Sequence, residues 1–375
     1  MQNIIRTAHT DGLIESIVAL LSDKPNPKVF LVSGGPFAEP LIAGLANRGI
    51  KVAAFSEFSP NPLYEDVVAG LAAYKKSQAD LLISIGGGSA IDTAKCILLF
   101  STVDTEKNYL NVEYKEPSIP HLAIPTTAGT GSEATTFAVV YFEGEKYSVD
   151  SPGALPNHIA FVPDYLRGLP LYHKRATFLD ALCQAIESLW SVNSTDESRD
   201  YARKAIGLIT DICPAYFETD DDSIIEAALE AAYRAGQAIN ISKTTAAHAM
   251  SYQMSSLYGL AHGHAAALCL PKVWRYMLDN LELCNDPRGI DYLEGVFAEI
   301  DELLGFQNHL ESIAWFEALL VEMEMFPPAS VNAGDVEVLA KSVNAQRLGN
   351  NPVPLSEAVI AKLYQEIIPA LKYVN

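Results

Sequence analysis

The feature that most constrains the fold is a change of pattern near residue 170. Before it, short apolar runs alternate with amphipathic stretches, which is typical of a parallel sheet covered by helices on both faces. After it, apolar residues recur at helical spacing almost to the end of the chain. Pro163, Gly168 and Pro170 cluster at the change. We therefore predict an α/β domain over residues 1–165 and an all-α helical bundle domain over residues 166–375.

Buried apolar runs and helical periodicity locate the individual elements. The predicted strands are Lys28–Ser33, Lys51–Phe55, Leu81–Ile85 and Leu122–Ile124. The predicted helices are Phe37–Asn47, Tyr64–Ser77 and Ser89–Phe100 in the first domain, and Ala176–Ser191, Arg199–Phe217, Ser223–Ile241 and Lys243–Tyr258 in the second. Loops that follow the strands of such a sheet lie at its carboxyl edge, where open α/β sheets bind ligands.

Charge and cysteine usage restrict the partners and the compartment. The chain has 46 acidic and 26 basic residues and a net charge of −20, which disfavours binding to nucleic acid or to anionic membranes. Five cysteines without a Cys-x-x-Cys pair indicate neither a disulfide framework nor a zinc knuckle. Asp11 and Glu15 interrupt the start of the chain where a signal peptide needs an apolar run. We predict a cytoplasmic protein with no membrane or nucleic-acid partner.

Two glycine-rich segments follow predicted strands. Gly86–Ser89 comes directly after the third strand and before a helix, so its backbone N–H groups can approach a phosphate group. The alternative is a tight structural turn. Asp92 and Lys95 then lie one turn apart and either address a ligand or pair with each other. Pro125–Glu133 (PTTAGTGSE) follows the fourth strand and is rich in hydroxyl groups and glycine, which predicts a polar cradle at the same edge.

Acidic, amide and imidazole side chains recur at helical spacing in the second domain. Asp180 and Gln184 are four residues apart and share one helix face. His248 and Tyr252 show the same spacing, and the sequence His262-Gly263-His264 follows. Side chains of these types that converge from several helices suit Fe²⁺ or Zn²⁺. The alternative is a set of hydrogen-bonded core histidines.

These segments, in this order, resemble the iron-containing (group III) alcohol dehydrogenase family. The matching motifs are GGGSAIDTAK (Gly86–Lys95), PTTAGTGSE (Pro125–Glu133), DALCQAIE (Asp180–Glu187), HAMSY (His248–Tyr252) and AHGHA (Ala261–Ala265). The resemblance implies an amino-terminal Rossmann-like, dinucleotide-binding α/β domain and a carboxy-terminal helical domain, with the active site in the cleft. It also implies a homodimer or a larger homo-oligomer, with NAD or NADP as cofactor and Fe²⁺ or Zn²⁺ as metal.

The resemblance assigns roles residue by residue. The cofactor contacts fall on Gly87, Gly88, Ser89, Asp92, Thr126, Thr127 and Lys146, the metal ligands on Asp180, Gln184, His248 and His262, and the proton relay on Tyr252 or His264. Gln184 and Tyr252 each stand where the family usually has His, so the second ligand is a neutral amide and the relay group a phenol. Gly34 replaces the acid of NAD-preferring relatives, which makes NADP admissible.

A narrower resemblance is to phosphonoacetaldehyde reductases, which also have Gln at the second ligand position. It rests on Phe137–Val149, Asp180–Ala202 and His248–Leu268. It implies reduction of phosphonoacetaldehyde to 2-hydroxyethylphosphonate, with Arg199, Arg203 and Lys243 as candidate cations for the phosphonate, or simply as solvated helix charges. The alternatives are a general primary-alcohol dehydrogenase, a dehydroquinate synthase-like or glycerol dehydrogenase-like enzyme, and a metal-free, non-catalytic relative.

Overall fold

The chain folds into two compact units. In this computed structural model the described residues are 2–104, 108–332, 334–343 and 345–368. Those within Met1–Leu169 and Glu218–Leu229 form the first unit, and those within Pro170–Phe217 and Glu230–Asn375 form the second. The division into domains at residue 165 stays a prediction.

The first unit contains a parallel sheet. Its strands are β1 (Asn3–Arg6), β2 (Lys28–Ser33), β3 (Lys51–Phe55), β4 (Leu81–Gly86), β5 (His121–Pro125) and β8 (His158–Phe161), paired in the order β1-β8-β5-β4-β2-β3. The chain runs from β2 outward to β3 and returns to the other side of β2 with β4, so a topological switch point lies between β2 and β4. Strands β4 and β5 are entirely buried, as their unbroken apolar runs predict.

Helices connect these strands. They are α1 (Thr10–Leu20), α2 (Ala38–Asn47), α3 (Tyr64–Ser77) and α4 (Gly88–Ser101). The bounds of α2, α3 and α4 agree with the predicted helices to within one residue, α1 was not predicted, and the predicted α/β architecture is confirmed. Strands β1 and β8 were not predicted, since four residues are too few to show a periodicity. An antiparallel hairpin of β6 (Phe137–Phe142) and β7 (Glu145–Asp150) was also missed, although Gly144 supplies its turn.

The second unit is helical, as predicted. Its helices are α5 (Leu171–Trp190), α6 (Asp196–Ile212), α7 (Ala215–Glu218), α9 (Ala246–Tyr258), α10 (His262–Asp279), α11 (Ile290–Leu304), α12 (His309–Glu322), α13 (Asp335–Ser342), α14 (Ala345–Leu348) and α15 (Glu357–Ile367). Helix α8 (Asp222–Ser242) contributes residues to both units. Short 3-10 turns lie at Ser132–Ala134, Pro152–Ala154, Pro163–Tyr165 and Leu281–Leu283.

Several helix boundaries differ from the predictions: α5 begins at Leu171 instead of Ala176 and α6 at Asp196 instead of Arg199. Two further differences have local reasons. The predicted helix Arg199–Phe217 is divided into α6 and α7, because Pro214 lacks an amide hydrogen and cannot continue α6. The predicted start at Lys243 is wrong by three residues. Lys243 has a left-handed backbone (φ +60°), and α9 begins at Ala246. This break between α8 and α9 comes just before His248, a predicted metal ligand on α9.

Candidate metal and dinucleotide sites

The glycine turn between β4 and α4 is required by close packing. Gly86 has a positive φ of 154°, and a Cβ atom placed on it would lie 2.6 Å from the Cβ of Ala90. A Cβ on Gly88 would lie 3.1 Å from Thr130. Gly87 is the N-cap of α4 and forms no side-chain cap. The positive end of the helix therefore begins at a turn where the backbone can come close to an anion.

The loop after β5 lies against this turn. Gly86 and Pro125 are register partners on adjacent strands, and the Thr126 N–H donates to the Gly86 carbonyl over 3.0 Å. Thr127 approaches Gly87, since a Cβ there would lie 3.4 Å from the Thr127 methyl group. Among the described residues the buried Thr127 hydroxyl has no hydrogen-bond partner. A hydroxyl in this state at a helix N-terminus fits the oxygens of a diphosphate.

Ser89 and Lys146, also predicted as cofactor contacts, have other neighbours in the structure. The Ser89 hydroxyl donates to the carbonyl of Pro60. Lys146 lies on β7 and is one of several groups that partly offset the rise in the pKa of Asp92 caused by burial. Their contact with a cofactor stays a prediction.

Asp92 and Lys95 form a buried polar network. Burial raises the pKa of Asp92, whose oxygens accept from the Ser132 hydroxyl (2.5 Å) and the Val139 N–H (2.9 Å). The ammonium group of Lys95 is 4.0 Å from Asp92 and donates to Thr135 Oγ1 and the Phe137 carbonyl, both at 2.9 Å. Burial lowers the pKa of Lys95 to about 8. Of the two open interpretations, the structure supports pairing of Asp92 with Lys95.

Three predicted metal ligands converge in the second unit. One ligand atom each from Asp180, His248 and His262 lies within 4.8 Å of the other two. Asp180 and His248 are only 2% exposed, and His262 is half-buried. A carboxylate oxygen and two imidazole nitrogens are donors that Fe²⁺ and Zn²⁺ accept. The residues therefore fit the predicted metal.

Gly263 allows α5 and α10 to approach each other at this cluster. A Cβ atom on Gly263 would lie 2.1 Å from the Ala176 carbonyl oxygen and 2.5 Å from the Asp180 Cβ. These are backbone and near-backbone atoms that cannot rotate away. The absence of a side chain at Gly263 thus brings His262, one residue earlier, close to Asp180.

Glu187 is a site residue that the sequence analysis did not predict. It is fully buried on α5, and one of its oxygens pairs with His248 Nδ1. Its other oxygen accepts from the Thr245 N–H (3.0 Å), the Thr245 hydroxyl (2.7 Å) and the His248 N–H (3.3 Å). A carboxylate on Nδ1 leaves Nε2 to face Asp180, which it does at 3.2 Å. The spacing of Asp180, Gln184 and Glu187 on one helix face could have indicated it.

The charges around His248 favour a cation. Burial alone lowers the pKa of His248, but the carboxylates of Glu187 and Asp180 together outweigh burial and raise this pKa to about 10. Gln184 is 3% exposed and shares the α5 face of these two acids. The site is therefore anionic and buried, as a divalent-cation site requires.

The two predicted relay residues lie in different surroundings. The ring of Tyr252 stacks on that of His262, with centroids 5.2 Å apart and planes 1° apart. His264 is two residues from His262 and so points to another face of α10. Its Nδ1 is 3.1 Å from the Tyr172 hydroxyl, and burial lowers its pKa. Tyr252 is thus the predicted relay residue in contact with a candidate ligand.

Two of the predicted cations for a phosphonate have carboxylate partners. Arg199 and Arg203, both on α6, pair with the same carboxylate, Glu299 of α11. Arg199 also donates to the Tyr292 hydroxyl over 2.9 Å. Their charges therefore join α6 to α11, and of the two interpretations this favours a charge on the helix over a contact with a phosphonate.

None of the described helices is long and apolar enough to cross a membrane.

Comparisons with known proteins identify the family of this chain. Residues 6–163 match the family model described as iron-containing alcohol dehydrogenase, and residues 174–368 match the carboxy-terminal model of the Fe-containing alcohol dehydrogenase family. Phosphonoacetaldehyde reductase of Streptomyces viridochromogenes is 29% identical, over 94% of this chain and 93% of its own length. NAD-dependent methanol dehydrogenase of Bacillus methanolicus is 32% identical, over 84% and 83% respectively.

A solved structure shows the same fold. The crystal structure of sulfoacetaldehyde reductase from Bifidobacterium kashiwanohense in complex with NAD⁺ has a TM-score of 0.84 to this chain, with 24% identity over 99% of this chain and 98% of that one. The two family models together match most of the chain, including every predicted ligand. The chain therefore belongs to the iron-containing alcohol dehydrogenase family and is an oxidoreductase of the alcohol dehydrogenase type.

Proposed function

We propose that this enzyme reduces phosphonoacetaldehyde to 2-hydroxyethylphosphonate with NADH or NADPH. The observation that carries the metal-dependent chemistry is the buried cluster of Asp180, His248 and His262, with Glu187 on the outer nitrogen of His248. The substrate is supported by the likeness to phosphonoacetaldehyde reductase over nearly the whole of both chains.

Each site residue has a defined task under this proposal. Asp180, His248, His262 and the amide oxygen of Gln184 would hold the ion, and Gly87, Gly88, Thr126 and Thr127 would hold the cofactor diphosphate. When bound, Fe²⁺ or Zn²⁺ polarises a carbonyl oxygen and the nicotinamide supplies hydride. Glu187 keeps the proton of His248 on Nδ1.

The proton of the product alcohol comes from the chain. Tyr252 stacks on His262, so its hydroxyl is a donor close to a ligand side chain. His264 with Tyr172 is a second route, because Tyr172 is 39% exposed and can exchange protons with water. Tyr252→Phe separates the two, since it removes the phenol and keeps the ring stack.

The cofactor, compartment and assembly are further parts of the proposal. Gly34 leaves the end of β2 without an acid to repel a 2′-phosphate, which supports NADPH beside NADH. Cys96, Cys183, Cys213, Cys269 and Cys284 are all free thiols, which supports a reducing compartment such as the cytoplasm. A homodimer or larger homo-oligomer follows the family resemblance.

A cofactor-oxidation assay tests the proposal. Purified protein loaded with Fe²⁺ or Zn²⁺ is given NADH or NADPH with phosphonoacetaldehyde, propanal or formaldehyde. Preference for phosphonoacetaldehyde supports the proposal. Turnover of the uncharged aldehydes alone supports a general primary-alcohol dehydrogenase, which the likeness to methanol dehydrogenase favours. Bound cofactor without metal or turnover would identify a non-catalytic relative.

A further inference from the structure

One cation in the second unit contacts an aromatic ring that stacks on a candidate metal ligand. The guanidinium carbon of Arg347, on the short helix α14, is 6.0 Å from the centroid of the Tyr252 ring. Tyr252 in turn stacks on His262. A single aromatic ring therefore links this guanidinium to a candidate metal ligand, although Arg347 is 95 residues away from Tyr252 in sequence.

Arg347 is held by the same segment that orients His248. Its Nη1 donates to Thr244 Oγ1 over 3.1 Å, and Thr244 is 4% exposed. The Thr244 carbonyl accepts from the Asn350 side chain over 2.9 Å. The next residue, Thr245, donates twice to Glu187. Arg347 and Glu187 are thus hydrogen-bonded to consecutive residues, Thr244 and Thr245.

From this arrangement we infer that Arg347 binds the anionic head group of the substrate. The inference rests on the proposed function and names the residue that selects its substrate class. In an aldehyde of this class, two carbons separate the carbonyl oxygen from the phosphonate or sulfonate group. If the carbonyl oxygen is at the metal, the anionic group needs a cation at short range on the same side of the protein. A guanidinium forms paired hydrogen bonds with such oxyanions, and it keeps its charge at every pH of interest.

The charge of the rest of the chain makes a local cation necessary. With a net charge of −20, the protein repels a dianion at long range, and Asp180 and Glu187 add negative charge at the site. Arg199 and Arg203 are both engaged by Glu299, which holds them between α6 and α11. The contact of Arg347 with the Tyr252 ring places a positive charge one aromatic ring away from His262.

The test compares charged and uncharged aldehydes in three variants. Arg347→Met removes the charge, and Arg347→Lys keeps the charge but not the paired N–H donors of the guanidinium group. Lys341→Gln is the control, since it removes an exposed cation, paired with Glu337, from the neighbouring helix α13. We expect Arg347→Met to lower kcat/KM for phosphonoacetaldehyde, relative to kcat/KM for propanal, about 10- to 100-fold. Arg347→Lys should lie between it and wild type, and Lys341→Gln should match wild type.

A binding measurement without turnover makes the inference independent of the substrate proposal. Metal-loaded wild type should bind ethylphosphonate in a calorimetric titration, and Arg347→Met should bind it at least about 10-fold more weakly. Comparison with ethanesulfonate and sulfoacetaldehyde distinguishes a phosphonate from a sulfonate as the head group.

The possible failures are distinguishable. If Arg347→Met lowers kcat/KM for phosphonoacetaldehyde and propanal equally and leaves ethylphosphonate binding unchanged, Arg347 is structural and the inference is overturned, while the proposed function stands. If wild type prefers propanal but binds ethylphosphonate, and Arg347→Met no longer binds it, the anion site stands and the proposed substrate is wrong. If wild type shows neither phosphonate preference nor ethylphosphonate binding, both are wrong.

Discussion

Asp92 in the first unit and Asp180 in the second are both acids predicted from helical spacing, yet their neighbours differ in kind. Asp92 faces hydrogen donors, namely a hydroxyl, an amide and an ammonium group. Asp180 faces imidazole nitrogens, and because Glu187 holds one ring proton of His248 on Nδ1, the Nε2 atom can give up its proton and bind a metal ion. A buried carboxylate satisfied by donors is a structural element, whereas one that faces other acceptors needs a cation.

The largest effect that can break this comparison is loss of the metal. We expect Asp180→Ala to lose bound metal and to lower kcat/KM by roughly 1,000-fold or more, because metal polarisation of a carbonyl contributes several kcal/mol. Elemental analysis and the aldehyde assay measure the two effects, with Asp200→Asn on the exposed face of α6 as control. Full activity of a metal-stripped Asp180→Ala sample would refute the metal site.

Removal of the ammonium group beside Asp92 should unfold the first unit more easily. Lys95 is fully buried, so Lys95→Met leaves Asp92 buried without its cation, and we expect a loss of about 3–5 kcal/mol in the free energy of unfolding. Urea denaturation measures it. The double variant Asp92→Asn with Lys95→Met should recover part of the loss, and metal content should stay at the wild-type level. No loss of stability would mean that the network is dispensable.

A smaller effect is expected from the carboxylate behind His248. Glu187→Gln keeps a hydrogen-bond acceptor for Thr245 but removes the charge, so metal affinity should fall about 10- to 100-fold. Competition with a chromogenic chelator gives the dissociation constants, and Glu197→Gln on the surface of α6 serves as the control. Equal affinities in wild type and Glu187→Gln would show that Glu187 does not orient the ligand.

The last prediction concerns His121, a buried imidazole that lacks the carboxylate partner of His248, and the effect per pH unit is small. Burial, with a smaller contribution from Lys95, lowers the pKa of His121 from 6.5 to about 3. Between these values the unfolded chain binds a proton that the folded chain does not, so stability falls as the pH drops from 6.5 towards 3, by up to about 1.4 kcal/mol per pH unit. Urea unfolding of wild type should show a steeper pH slope than His121→Gln, and equal slopes would contradict this.

The sequence was most informative where a regular period is sustained. Strands β2 to β5 and helices α2 to α4 were predicted because their apolar runs are long and bounded by turn residues. The convergence of Asp180, His248 and His262 was anticipated from the family resemblance, whereas helical spacing alone left core histidines as an alternative.

What the sequence did not yield depends on contacts between distant segments. The helical spacing of Glu187 places it on the face of Asp180 but does not identify His248 as its partner, and the left-handed Lys243 that follows α8 has no glycine to mark it. Arg347 comes from a four-residue helix that shows no period at all. Such residues are positioned by tertiary packing, which local patterns do not encode.

The missing side chain at Gly263 has a consequence for redesign of this enzyme. Because α5 and α10 touch through backbone atoms there, the spacing between Asp180 and His262 cannot be tightened, and it can be widened only by forcing the two helices apart. Libraries that aim to change metal preference should therefore hold position 263 constant and vary Gln184, the predicted amide ligand on α5.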